Sequence, residues 1–398
     1  MPACTGPQGL ITEASARFQS VFGAESTTVT FAPGRVELLG NHTDYNDGLV
    51  LAAAIDRFTV VVGRLIDEPV AEIHAMAFGA TDRVNLAGCE IEPGPEGDWR
   101  RYTRGVLWAM RDQWPQGKGL RAVVLGNVPL GAGLSSSASV QVALGLFLLQ
   151  ASGLKLADDE ARMALARRLR RAENGFVGVA SGLLDFVSVL LGEPGKAVYL
   201  DCRSLEVKKV SLGQPPPAIV VMDSGTSRRL ADGMYNIRRS ECERVVDHFR
   251  RLKSVAEVLS LRDISPEELS QQWKYLDPVG RMRARHVLIE NQRVREGFAA
   301  LERGELEEFG HLVSRSHRSS MTDFQNSSAA LDQLVAAALA SPGCLGAKLS
   351  GAGWAGCVVA VVRQDQAEAF QKECTARYHQ ATGHRAVVYL AESAGCSG

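Results

Sequence analysis

Apolar residues along the chain fall into runs that indicate both strands and helices. Runs rich in β-branched residues indicate strands at residues 27–64 and 122–128. Helix-compatible runs indicate helices at residues 100–113, 140–150 and 158–173. The sequence Ser265-Pro266-Glu267-Glu268 has the form of a capping box with proline at the first helical position, so it predicts the start of another helix.

Three polar, glycine-containing segments interrupt these runs. The first segment, residues 32–50, reads APGRVELLGNHTDYNDGLV and lies between two apolar runs. A loop that joins two strands presents such side chains at a site, because polar groups buried without partners are costly. A solvated hairpin loop is the alternative interpretation.

The second segment, residues 128–139, reads VPLGAGLSSSAS. Small residues allow backbone N–H groups to approach an anion closely. The helical run that follows places the serines at a helix N-terminus, where unpaired donors and the helix dipole favour negative charge. An ordinary serine cap is the alternative, but three consecutive serines fit a phosphate-binding loop better. The Gly-Lys-Ser/Thr sequence of a Walker A loop does not occur here.

The third segment, residues 348–357, reads KLSGAGWAGC and matches GxGxxG through Gly351, Gly353 and Gly356. In a dinucleotide-binding fold this pattern stands between a strand and a helix. Here it precedes the apolar run CVVAVV, which has the composition of a buried strand. The sequence therefore predicts a glycine turn between two strands.

Length and composition limit the class of protein. A chain of 398 residues exceeds the usual size of one core, so we expect two domains, at residues 1–205 and 206–398. A formal net charge of −1 gives no general attraction to nucleic acid or to anionic membranes. No signal peptide or membrane-spanning run is evident, and the eight cysteines form no CxxC pair. These features predict a cytoplasmic protein with reduced thiols, as a monomer or weak oligomer.

The three segments, in this order, resemble those of the GHMP kinases and, within them, the galactokinases. The resemblance extends to ENGFVGVASGLLD at residues 173–185, YNIRR at residues 235–239 and LDQLV at residues 331–335. It implies an α+β, two-domain GHMP kinase fold with the active site in the cleft between the domains. It also implies ATP with Mg²⁺ as the phosphoryl donor and a small sugar as the acceptor.

The resemblance assigns the catalytic and metal-binding groups. Asp185 corresponds to the catalytic base and Arg35 to its partner, since a guanidinium favours an ionised carboxylate and the developing alkoxide. Glu173 and Ser137 correspond to the magnesium ligands, and Mg²⁺ takes few protein oxygens. Without the resemblance, Asp185 and Glu173 would be interpreted as a cap or as surface residues.

The same resemblance assigns the binding residues. Those expected to contact the sugar are Asn41, His42, Asp44, Gly182 and Tyr235. Those expected to contact ATP are Gly131, Gly133, Leu134, Ser135, Ser136, Ser137, Ser139 and, at the adenine, Trp99. Galactokinases usually have glutamate where this chain has Asn41, a position that approaches the C6 end of the sugar. Asparagine brings no negative charge there, so the departure leaves the exact sugar open.

Three functions remain in comparison at this point. The first is ATP-dependent phosphorylation of galactose at its anomeric hydroxyl. The second is a related kinase for galacturonate or N-acetylgalactosamine, and the third is a non-catalytic sensor of galactose and ATP. Sensors of this type lose residues of the serine-rich loop, whereas this chain keeps the loop as well as Arg35 and Asp185. We therefore expect an enzyme, with galactose as its substrate.

Overall fold

The computed structural model of the chain describes residues 6–88, 90–179, 181–226, 233–253 and 258–397. Its strands are β1 (Thr28–Leu39), β2 (Leu49–Ile66), β3 (Val70–Ala75), β4 (Ala80–Asn85), β5 (Gly119–Gly126), β6 (Lys196–Asp201), β7 (Val207–Ser211), β8 (Ala218–Asp223), β9 (Cys344–Leu349), β10 (Cys357–Val362) and β11 (Val387–Ala391). Its helices are α1 (Pro7–Phe22), α2 (Arg100–Met110), α3 (Ser136–Ala151), α4 (Asp159–Ala172), α5 (Leu184–Leu191), α6 (Met234–Lys253), α7 (Pro266–Gln272), α8 (Pro278–Arg303), α9 (Leu306–Ser319), α10 (Ala329–Leu339) and α11 (Ala367–Thr382). Helices and sheets of this kind confirm the α+β class.

The first sheet is organised around the long strand β2. Strand β1 pairs with β2 in antiparallel register, β6 pairs with the beginning of β2, and β5 pairs with its second half. The strand order is β4-β3-β5-β2-β6-β7. The apolar faces of α3, α4 and α5 cover one side of this sheet, with Phe147, Leu169 and Phe186 buried between them. Helix α1 covers part of the other side through Ala14 and Phe18.

The second sheet is antiparallel, in the order β11-β8-β10-β9. The third segment joins β9 to β10, so the predicted glycine turn between two strands is confirmed. Helix α9 packs on β9 through two glycines, and a Cβ atom on Gly346 would lie 1.9 Å from the carbonyl oxygen of Gly310. The predicted capping box at Ser265 begins α7, as expected.

The change from the first sheet to the second falls at residues 212–217, slightly later than the expected boundary near residue 205. Strand β7 still pairs with β6 in the first sheet, and the second sheet begins with β8. The C-terminal residues then return to the first sheet, where the Ala394 N–H donates to the Ala54 carbonyl at 3.0 Å. The two sheets therefore do not correspond to two continuous halves of the sequence. Among the described helices, none has the length and apolar character to cross a membrane.

Candidate functional site

The three glycine-containing segments meet where β1, α3 and the β9–β10 turn converge. The Arg35 N–H donates to the carbonyl oxygen of Leu134 at 3.1 Å, which joins the first segment to the second. A Cβ atom on Gly34 would lie 2.8 Å from that same oxygen, and one on Gly351 would lie 3.2 Å from the Cα of Gly133. Glycine is needed at these positions because only a missing side chain lets the backbones approach so closely.

Arg35 and Asp185 form an ion pair at the centre of this convergence. The Arg35 Nε donates to Asp185 Oδ1 at 2.8 Å, and Nη1 donates to the Gly133 carbonyl at 2.6 Å. The Ser135 hydroxyl donates to Asp185 Oδ2 at 2.5 Å. The Arg35 side chain is buried, whereas 26% of the Asp185 side chain is exposed. The carboxylate is thus fixed from two sides and still open to the cleft.

The second segment leads into α3 as predicted, with Ser136 and Ser137 in the first turn of the helix. Ser135 precedes the helix with a φ of +55°, in the left-handed region that non-glycine residues rarely adopt. Gly131 and Gly133 also have positive φ values. This conformation leaves the N-terminal N–H groups of α3 without intrahelical partners, as an anion site requires.

Two of the residues expected to bind ATP have other contacts. The Ser139 hydroxyl is fully buried and donates to the Ala32 carbonyl, with Thr59 Oγ1 also 2.9 Å away. The Leu134 side chain is 1% exposed and belongs to the apolar core. Both side chains point into the protein, so any contact of Leu134 or Ser139 with ATP would use the backbone, and that contact stays a prediction.

Glu173 lies in a buried polar pocket behind α3. Its carboxylate accepts hydrogen bonds from Gln141 Nε2 at 3.0 Å and from the Ser181 hydroxyl. Gln141 Nε2 also donates to the Ser137 carbonyl at 3.2 Å, so one amide joins the two predicted metal ligands. Desolvation by burial raises the pKa of Glu173 to about 7. The oxygen of the Gln141 amide is buried without a hydrogen-bond partner among the described residues.

Asp44 and Gly182 touch across the opening of the site. A Cβ atom on Gly182 would lie 2.1 Å from Asp44 Oδ2, so only glycine leaves room for this carboxylate. Burial raises the pKa of Asp44 to about 6, and the negative charges of Asp185 and Glu37 add to the shift. The effect of Asp185 on Asp44 indicates that the two carboxylates lie near each other.

Aromatic rings surround His42. The ring centroid of Tyr235 lies 5.3 Å from that of His42, and the centroid of Phe324 lies 4.5 Å away. The His42 nitrogens contact the Ala352 carbonyl and the Tyr45 hydroxyl, each at 2.9 Å. Desolvation by burial lowers the pKa of His42 to about 3, so the ring is neutral and serves as an oriented hydrogen-bonding group.

The side chain of Asn41 makes its hydrogen bonds within the protein. Its side chain is almost fully buried, and its amide nitrogen donates to Glu37 and to the Gly351 carbonyl. Its amide oxygen accepts from Ser320 and Asn326. These four contacts use both donors and both lone pairs of the amide, so no polar group of the side chain is left for a sugar hydroxyl. Asn41 instead joins the first segment to the second half of the chain.

Trp99 stands at the N-terminal end of α2, away from the ion pair. Its ring stacks on Phe78, with centroids 5.3 Å apart and planes inclined by 5°. Half of the Phe78 side chain is exposed. The pair offers a flat apolar surface, and adenine contact by Trp99 stays a prediction.

Sequence reasoning missed residues that hold the site from outside the three segments. Gln141 and Ser181 orient Glu173, while Glu290 and His286 on α8 bind the backbone of residues 40–41. One signal was available, because Gln141 interrupts an otherwise apolar helix. The residues on α8 are distant in sequence and follow no motif.

Comparison with known proteins agrees with this arrangement. Residues 16–65 match the profile of the galactokinase galactose-binding signature, residues 101–193 match the GHMP kinases N terminal domain, and residues 298–380 match the GHMP kinases C terminal domain. The galactokinase of Roseiflexus sp. (strain RS-1) is 38% identical over 94% of this chain and 93% of its own. Human galactokinase is 38% identical over 99% of this chain and 98% of its own.

Solved structures show the same likeness. The crystal structure of Lactococcus lactis galactokinase complexed with galactose superposes with a TM-score of 0.89 at 31% identity, over 98% of this chain and 99% of that one. The mevalonate kinase of Methanococcus jannaschii superposes with a TM-score of 0.66 at 17% identity, over 92% of this chain and 98% of that one, and so shares the fold.

The burial of Ser139 leads to a stability prediction. Ser139→Ala should lower the free energy of unfolding by about 1–2 kcal/mol, because the Ala32 carbonyl and the Thr59 hydroxyl lose a buried partner. Ser136→Ala, at a partly exposed position, should change it by less than about 0.5 kcal/mol. Urea denaturation of the two variants measures the difference, and equal effects would contradict the structural role of Ser139.

Proposed function

The chain belongs to the galactokinase family of the GHMP kinases, and we propose that it transfers the γ-phosphoryl group of ATP to the anomeric hydroxyl of galactose. The observation that carries the proposal is the Arg35–Asp185 ion pair, whose arginine also donates to the Gly133 carbonyl of the second segment and whose aspartate raises the pKa of Asp44. Ser135 of the second segment bonds the same carboxylate. A base fixed to the loop that cradles phosphate is suited to activate a hydroxyl beside that phosphate.

The reaction needs one proton transfer and one displacement. Asp185 accepts the proton of the C1 hydroxyl, the sugar oxygen bonds to the γ-phosphorus, and the bond from that phosphorus to the β–γ bridging oxygen breaks to release ADP. Arg35 offsets the negative charge that gathers around the attacking oxygen. The partial exposure of Asp185 supports this role, since a fully buried carboxylate could not reach the substrate.

The second segment is suited to hold the phosphates. Its glycines have positive φ values and its serines open α3, so backbone N–H groups and the helix dipole favour an anion there. Gly131, Gly133, Ser135, Ser136 and Ser137 remain the proposed contacts.

Mg²⁺ is proposed to bind at Glu173 and Ser137. The residues fit the ion: Glu173 is a buried carboxylate with a pKa of about 7, which a cation would return to its charged form, and Gln141 has an unpartnered oxygen beside it. When bound, Mg²⁺ supplies charge neutralisation for the ATP phosphates. Gln141 and Ser181 orient the Glu173 carboxylate whether or not the ion is present.

The sugar is proposed to lie between Asp44, His42 and Tyr235, with Gly182 leaving space for the Asp44 carboxylate. The Asp44 carboxylate can accept hydrogen bonds from two neighbouring hydroxyls. A negative charge at Asp44 favours a neutral hexose over a uronate. The enzyme thus acts on small molecules, and we propose a cytoplasmic location for it.

Removal of either member of the ion pair should stop catalysis. Asp185→Ala and Arg35→Ala should each lower kcat by about two to four orders of magnitude, the usual effect of losing a positioned acid–base group. Circular dichroism should show a retained fold. A variant with near-normal kcat would refute the role given to its residue.

Activity should fall in mild acid. Because the pKa of Asp44 is raised to about 6 in the free protein, the fraction with a charged Asp44 falls as the pH drops from 7 to 5. The kcat/KM for galactose should then fall toward about tenfold per pH unit below pH 6. Glu173 titrates nearby, so the profile is measured at limiting and at saturating Mg²⁺. If saturating Mg²⁺ abolishes the decline in kcat/KM, the decline is due to protonation of Glu173, and this result would contradict the role of Asp44.

A sugar panel tests the function directly. With MgATP, ADP release is measured for galactose, galacturonate, N-acetylgalactosamine and arabinose. Galactose should have the highest kcat/KM, and MgATP should raise the melting temperature of the protein by mass action. A lead of about tenfold for galacturonate, a preference worth about 1.4 kcal/mol, would overturn galactose as the substrate.

A further inference from the structure

Glu37, Asn41 and Lys348 form a buried cluster between the two halves of the chain, here called the joint cluster. Glu37 is 4% exposed, Asn41 is 1% exposed and Lys348 is fully buried. Glu37 lies on β1, and Lys348 lies on β9 of the second sheet. A lysine with no exposed surface requires a counter-charge, and Glu37 supplies it.

One oxygen atom organises the joint cluster. Glu37 Oε1 accepts from Asn41 Nδ2 at 3.0 Å and also from Lys348 Nζ. Both donors therefore lie next to the same atom, and the amide of Asn41 is a near neighbour of the ammonium group. Asn41 connects the joint cluster to the third segment, because its amide nitrogen also donates to the Gly351 carbonyl at 2.9 Å.

The residues that follow Asn41 carry the proposed sugar contacts. His42 comes next with a φ of +58°, and Asp44 stands two residues further. His42 bonds the carbonyl of Ala352, the neighbour of the residue that Asn41 bonds. A shift of the Asn41 amide would therefore move His42 and Asp44 relative to the third segment and to Gly182.

We propose that Glu37 is a positioning residue for sugar binding: neutralised by Lys348, it fixes Asn41 and thereby the orientation of His42 and Asp44. This inference rests on the proposed galactose kinase function. What the joint cluster requires is one carboxylate and one amide that face each other beside Lys348. The two groups can exchange positions without changing the net charge of the cluster, but a glutamate at position 41 has no donor for the Gly351 carbonyl.

Variants that exchange the carboxylate and the amide test the proposal. Glu37→Asn leaves Lys348 without a counter-charge, and Asn41→Glu places a second carboxylate beside Glu37. The double variant Glu37→Asn/Asn41→Glu restores one carboxylate, one amide and one lysine. Glu72→Gln is the control, because Glu72 pairs with Arg121 on the far part of the first sheet. For each protein, KM and kcat for galactose, KM for ATP and the melting temperature are measured.

We expect each single variant to raise the galactose KM by about tenfold or more, with a smaller change in the ATP KM. The exchanged variant should have a galactose KM below that of either single variant and above the native value, because the cluster regains its charge balance but not the donor to the Gly351 carbonyl. The control should leave both KM values unchanged. Single variants that lower only the melting temperature, or an exchanged variant no better than the worse single one, would overturn the proposal.

A milder variant keeps the proposal testable if the variants above fail to fold. Glu37→Gln keeps the shape of the side chain and an oxygen for Asn41, so it is measured alongside the exchanged variant. An unchanged galactose KM in Glu37→Gln would overturn the proposal. Galactose binding is also measured by calorimetry. A native protein that binds galactose without phosphorylating it would refute the proposed function. The positioning role of Glu37 would then be measured from the galactose affinity of the same variants.

Discussion

Buried polar groups need partners, and in this chain the partners of the first segment lie in the second half of the molecule. Asn41 is held by Gly351, Ser320 and Asn326, and its backbone is held by Glu290 and His286. None of these groups can be left unpaired without a cost of about 1–3 kcal/mol. The two sheets are therefore joined by hydrogen bonds of fixed direction, which an apolar contact could not supply.

This constraint also orders the proposed catalytic groups. Arg35 lies two residues before Glu37 on β1, so the strand that carries the ion pair to Asp185 also carries the carboxylate of the joint cluster. Gly351, which accepts from Asn41, would touch Gly133 if it had a Cβ atom. The proposed sugar contacts and the proposed phosphate loop thus share a short series of close backbone approaches. A small displacement at one of these close approaches should displace the others as well, because the backbones are closely packed and leave no free space between them.

Much of the architecture could be predicted from local patterns. The apolar runs predicted β1, β2 and β5 and the helices α2, α3 and α4, and the turn before CVVAVV was correct because a glycine turn needs only local residues. The pairing of Asp185 with Arg35 came from the resemblance of the chain to a family. The inward direction of the Ser139, Leu134 and Asn41 side chains could not be predicted, because a motif identifies residue types, whereas the direction of each side chain depends on what packs around it.

Local sequence patterns were enough to predict several strands and helices, the three glycine-containing segments and the chemistry that these segments could support, because strands, turns and helix starts depend on neighbours in the chain. The tertiary structure decided which polar groups remain open to a substrate. Asp185 is partly exposed, while Ser139 and Asn41 are bonded inside the protein. It also decided that Glu37 and Lys348, which are 311 residues apart, meet at one oxygen atom. Such contacts depend on how the two sheets pack, and a local sequence pattern contains no information about which distant residues will meet.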